Sequence, residues 1–124
     1  MNTKERIDEY LSFSAGNLAN KKFSVTLLDG VIEKLAFKDI LSLRNNLIDD
    51  KFKAIMEDKD LSTSIEEFFK YDLNIAETSR NSFLHRNTLL YRLNKIANLT
   101  GLNIRNFDDA IAFRILSKIY NMTR

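Results

Sequence analysis

Between Thr78 and Arg105 the chain carries five cations, Arg80, Arg86, Arg92, Lys95 and Arg105, and no carboxylate. Guanidinium and ammonium groups gathered without counter-charge are suited to phosphate. The side-chain amides interleaved with them, Asn87 and Asn94 above all, offer the paired donor and acceptor that fits the adenine edge in a major groove. The rest of the chain differs. Residues 1–77 hold eleven Lys and Arg against fifteen Asp and Glu, and residues 106–124 hold three against two, so −4, +5 and +1 sum to the net charge of +2. Basic charge gathered on one unit of an otherwise acidic chain is the pattern of a polyanion-binding surface. The plain alternative is a solvated helix face, and charge alone favours it.

One helix has to hold these groups. Leu89, Leu93 and Ile96 fall at i, i+4 and i+7, with Leu90 and Ala97 widening the stripe, so one face is built to be buried. At about 100° per residue, Asn87, Tyr91, Asn94 and Asn98 point away from it, with Thr88 and Lys95 beside them and Arg92 on the other flank. Asn is a poor helix former and an exposed Tyr is a large apolar group; propensity alone would have placed Glu, Lys or Ala there. Upstream, Asn74 followed by Glu77 has the spacing of a capping box, so a short helix begins there. Ser82-Phe83-Leu84 is the expected turn and His85 the start of the next helix. Helix, short turn, helix is the spacing of a helix-turn-helix whose second member enters the major groove.

The run His85 to Ile96 resembles the recognition helix of the C-terminal DNA-binding domain of PucR/CdaR-type bacterial transcriptional regulators, H-R-N-T-x-x-Y-R-L-x-x-I. His85, Arg86, Asn87, Thr88, Tyr91, Arg92, Leu93 and Ile96 all match, and the domain is also similar to the helix-turn-helix of Fis-type nucleoid proteins. The resemblance spans roughly residues 61–120 and does not reach the first half. It implies a sequence-specific, DNA-binding transcriptional regulator with a recognition helix over about 86–99 on double-stranded DNA. The expected DNA-binding residues are Arg80, His85, Arg86, Asn87, Thr88, Tyr91, Arg92, Asn94 and Lys95. Asn87 and Asn94 would pair with adenine; Arg80, Arg86, Arg92 and Lys95 would bind phosphates, Arg86 alternatively reading guanine. Tyr91 offers its hydroxyl to a phosphate or its ring to a neighbouring helix, and Thr88 a phosphate contact or a cap. Regulators of this type work as two-fold dimers on half-sites about 34 Å apart, so a homodimer is expected. Ser79 and Ser82 stand where the family has Ala and Leu, and Phe83 is expected to supply the apolar contact they omit. The competing class is a protein-interaction or dimerisation module that keeps the fold without binding DNA, and salt dependence separates the two.

The chain of 124 residues is 44% apolar and 29% charged, with no proline and three glycines. It can bury one core and reads as all-α, a helical bundle with a C-terminal helix-turn-helix. The polar break Asp58-Lys59-Asp60 divides residues 1–58, a helical region with a possible dimerisation role, from the helix-turn-helix domain of residues 59–124. Thr3 caps a first expected helix to about Phe13. A second runs from about Ser24 to Ala36, although Phe23, Val25 and Leu27 alternate as in a strand. Asp39, Asp49 and Asn106 start others, Gly101 ends the recognition helix, and the last helix is apolar on nearly two sides, so that it is either central or part of a subunit interface. The absence of cysteine excludes disulfides, thiolate catalysis and zinc fingers. The single histidine has no second ligand for a metal, and adjacent acids such as Asp108-Asp109 diverge along a helix, so no catalytic dyad forms. No enzyme activity, cofactor or small-molecule ligand is expected. Neither a membrane span nor a signal-peptide core is visible, and a cytoplasmic location follows as the expectation. An RNA partner fits less well, for want of exposed aromatic clusters.

Overall fold

The structure, a computed structural model, describes residues 2–6 and 35–124. Among these residues there are six helices of eight residues or more, and no strand, so the fold is all-α as the periodicity requires. They are α1 (Phe37–Leu47), α2 (Asp50–Glu57), α3 (Lys59–Lys70), α4 (Ile75–Ser82), α5 (Arg86–Thr100) and α6 (Phe107–Thr123).

Short polar side chains set most of the boundaries. Asp49 caps α2, its carboxylate accepting from the Phe52 N–H at 2.9 Å. Asp58 serves two helices: its N–H donates to the Ala54 and Ile55 carbonyls and closes α2, while its carboxylate accepts from the Leu61 N–H at 3.0 Å and opens α3. No linker separates them. Asn106 caps α6 by accepting from Asp108 N–H at 2.9 Å, and Asp108 and Asp109 lie in the first turn, where carboxylates meet the positive end of the dipole.

Before Asp49, three boundaries differ from expectation. α1 starts after Ala36, which makes no side-chain cap, and Asp39 lies inside the first turn, its N–H donating to the Ala36 carbonyl. There Asp39 complements the helix dipole instead of capping. The helix expected to end at Ala36 does not include its last two residues: Leu35 is a bend and Ala36 is extended, while the rest of that expectation lies outside the described residues. At the N-terminus the cap is Asn2, not Thr3. Its side chain accepts from Glu5 N–H at 2.9 Å and its own N–H donates to the Glu5 carboxylate at 3.3 Å, a reciprocal capping box one residue early that leaves Thr3 buried. The remainder of that helix, to Phe13, is likewise outside the described residues.

The core runs from Leu47 to Tyr120. Phe52, Ile55, Phe68, Leu89, Ile96, Ile104 and Phe113 are wholly inaccessible, and the Phe52 and Phe113 rings meet with centroids 4.9 Å apart at 47°. α6 passes through it on the row Ala110, Phe113, Leu116 and Tyr120. Its other apolar side meets α1, where Ile119 and Ile40 form a smaller cluster with Leu43 and Ile115.

Candidate nucleic-acid interface

α4 begins at Asn74, whose side chain accepts from the Glu77 N–H at 2.9 Å. The Glu77 carboxylate meets Arg80 at 3.1 Å and Asn81 at 3.3 Å, so it faces along the helix. Thr78 is buried, and its hydroxyl donates to the Asn74 carbonyl at 2.7 Å. α4 ends one residue later than expected, at Ser82, whose hydroxyl lies 3.4 Å from the Glu67 carboxylate of α3. Phe83 then takes a left-handed conformation with φ +53°, and the Leu84 N–H reaches back to the Ser79 carbonyl at 3.1 Å, a six-residue closure of the helix end.

That reversal corrects the expectation for Phe83. The residue following the left-handed one is turned onto the core, so Leu84 packs there while Phe83 is 98% exposed. The apolar contact at this corner comes from Leu84.

α5 is capped by His85, whose Nδ1 accepts from the Asn87 N–H at 3.1 Å. Its first turn carries Arg86 and no carboxylate. Leu89, Leu93 and Ile96 are buried to within 1%. Arg86, Asn87, Tyr91, Asn94, Lys95 and Asn98 are exposed, and at 66% exposure the Tyr91 ring is not packed on a neighbouring helix. Thr88 is half-buried and Arg80 is exposed.

Arg92 stands apart. Its Nη1 donates to Ser64 Oγ of α3 at 2.9 Å, and Nη2 lies 3.9 Å from the Asp60 carboxylate. The guanidinium thus ties α5 to the first turns of α3. Sequence reasoning did not find this pairing across 28 positions; the available signal was Ser64, a polar residue on the stripe Leu61, Ile65 and Phe68, buried with them.

The far end of α5 is fixed by Gly101 at φ +77°, whose N–H donates to the Ala97 carbonyl at 2.8 Å. The positive φ favours glycine, and a Cβ there would also displace the end of the Asn2 side chain that caps the N-terminal turn. Lys4 pairs with Asp109 at 3.4 Å on the same side. Away from α5, an open cleft of about 600 Å³ between α3 and α6 has a floor of Phe69, Leu73, Ala110 and Ile111. Among the described residues no three His, Asp or Glu side chains gather as metal ligands, and no helix is long and apolar enough to cross a membrane.

Two short helices at a corner, the second buried on one face and polar on the other, form a helix-turn-helix. Residues 61–119 match the PucR C-terminal helix-turn-helix domain. The carbohydrate diacid regulator of Escherichia coli (strain K12) is 45% identical over 51 residues, 41% of this chain and 13% of that protein. The purine catabolism regulatory protein of Bacillus subtilis (strain 168) is 22% identical over 92 residues, 74% of this chain and 17% of that protein. The chain thus spans less than a fifth of the length of these relatives. No solved structure gives a significant match.

Proposed function

We propose that the chain is a transcriptional regulator that binds double-stranded DNA by laying α5 in the major groove, and that it does so as a homodimer. The division of α5 carries the reading: Leu89, Leu93 and Ile96 are buried, and Arg86, Asn87, Tyr91, Asn94, Lys95 and Asn98 face solvent within a carboxylate-free segment. The helix-turn-helix family and the regulator names of two relatives support it. Asn87 and Asn94 are placed to pair with adenine, Arg86 to meet guanine or a phosphate, and Lys95, Arg80 and the Tyr91 hydroxyl to meet phosphates. His85 and Thr88 serve at the start of α5, where N–H groups without a carboxylate partner favour an anion. Arg92, already engaged by Ser64, acts by fixing the angle of α5. Residues 59–124 do the reading and residues 1–58 supply the contact between copies, because both apolar sides of α6 are taken up within the chain.

The test is fluorescence anisotropy on a pool of short A·T-rich and mixed duplexes at two salt concentrations. Wild type is expected to bind with a steep slope of log affinity against log salt, and Arg86→Ala/Lys95→Ala to lose affinity and about 1 to 2 of that slope. No duplex binding at low salt would sink the reading in favour of a protein-interaction module. Light scattering at tens of micromolar is expected to give twice 14.4 kDa; a monomer would remove the dimer.

A further inference from the structure

We infer that Phe83 is a DNA contact, its ring meeting the apolar C–H surface of the duplex, a thymine methyl or a deoxyribose, beside the first turn of α5. The inference rests on the DNA-binding reading above.

The backbone gives no reason for this side chain. At φ +53° the residue occupies the position where glycine, or asparagine, closes a helix at least cost. Nor does the core, which takes Leu84 and leaves Phe83 98% exposed. A phenylalanine that neither relaxes the turn nor fills a hole is placed for something outside the fold.

Its surroundings indicate what. Arg80 and Asn81 before it and His85, Arg86 and Asn87 after it are all exposed, and residues 78–105 contain no carboxylate. The other exposed phenylalanines among the described residues, Phe37 and Phe107, have acids close by in sequence: Asp39 two positions from Phe37, Asp108 and Asp109 directly after Phe107. Phe83 is thus an apolar group flanked in sequence by exposed cations and amides. Of these, Arg80 and Asn81 are held by Glu77, while His85, Arg86 and Asn87 have no carboxylate near them in sequence. The complementary surface is anionic with apolar patches between the charges, which a duplex offers in phosphates flanking sugars and in thymine methyls at the groove edge. Phe83 lies in the turn two residues before the cap of α5, next to the opening residues of the second helix that in such a pair reach base edges.

The experiment uses the full chain and the labelled duplex pool, with Phe83→Gly and Phe83→Asn as variants suited to the left-handed turn. Phe83→Gly is expected to raise Tm by about 3 °C and to weaken duplex binding about tenfold, with the salt slope unchanged because no charge is lost. Opposite signs in stability and binding exclude misfolding as the cause. Replacing thymine by deoxyuridine identifies the contact: a methyl contact makes wild type, but not the variants, sensitive to the exchange, and a sugar contact leaves both insensitive. Variants that bind as tightly as wild type would overturn the inference, as would a fall to monomer mass that tracks the lost affinity, which would make Phe83 a subunit contact. Failure of wild type to bind any duplex would instead refute the DNA-binding reading itself.

Discussion

α5 and α6 are of similar length, 15 and 17 residues; each is capped by a side chain and each drives an apolar row into the same core. They differ at the start and on the outside. α6 opens on Asn106 with two carboxylates in its first turn, and Asp109 also accepts from the Asn103 N–H at 3.0 Å and pairs with Lys4. α5 opens on His85 with a cation in its first turn, and its outward positions are amides and a tyrosine instead of good helix formers. Buried positions follow the same rule in both helices, whereas at solvent-facing positions α6 departs from local stability at its ends, Phe107 and Asn121, and α5 departs along its length at Asn87, Tyr91, Asn94 and Asn98. Departures that line one whole face mark that surface as selected for something other than folding.

Core truncation should treat the two helices alike. Leu93→Ala and Phe113→Ala are each expected to lower stability by about 3 to 4 kcal/mol in urea denaturation; a loss under about 1 kcal/mol at Leu93 would mean that α5 is not anchored as its burial requires. A smaller effect separates the strut from the surface. Arg92→Ala should lower stability by about 1 to 2 kcal/mol through the lost Ser64 bond, with most of the effect from that bond because Asp60 is 80% exposed. Its salt slope in DNA binding should stay at the wild-type value, whereas Lys95→Ala should cut the slope by about 1 and leave stability unmoved. The smallest effect on stability is the sharpest for the contrast. Arg86→Glu places a carboxylate at the start of α5 as in α6 and should raise Tm by about 1 °C, read by calorimetry, while abolishing duplex binding. A lowered Tm would show that the α5 N-terminus is already satisfied.

Local chemistry was legible wherever one residue decides it. Asp49, Asn74, His85, Gly101 and Asn106 mark boundaries because a short polar side chain or a glycine answers a nearby backbone group, and Leu89, Leu93 and Ile96 show their burial by period. Errors arose where another part of the chain takes part. Ala36 begins a helix without a side-chain cap, so no residue type announces it, and Asp39 drew the boundary three residues late. The turn residue Phe83 looked like filler because its φ is invisible in sequence, and φ decides which of Phe83 and Leu84 faces inward. At the candidate interface, residue types identified the outward face of α5, but whether Arg92 belonged to it depended on Ser64, which only the packing of α3 against α5 brings within reach.

Asp58, by ending one helix and starting the next, leaves no chain between them to act as a hinge. In mechanical terms the corner is an elbow without play, and α3 is in turn tied to α5 through Arg92. α5 is about 22 Å long, so a swing of about 10° would carry its far end nearly 4 Å, more than the rise of about 3.4 Å between base pairs. A contact between copies made through residues 1–58 would then set where two reading helices fall along a duplex to within a single step, with stiffness serving as the ruler.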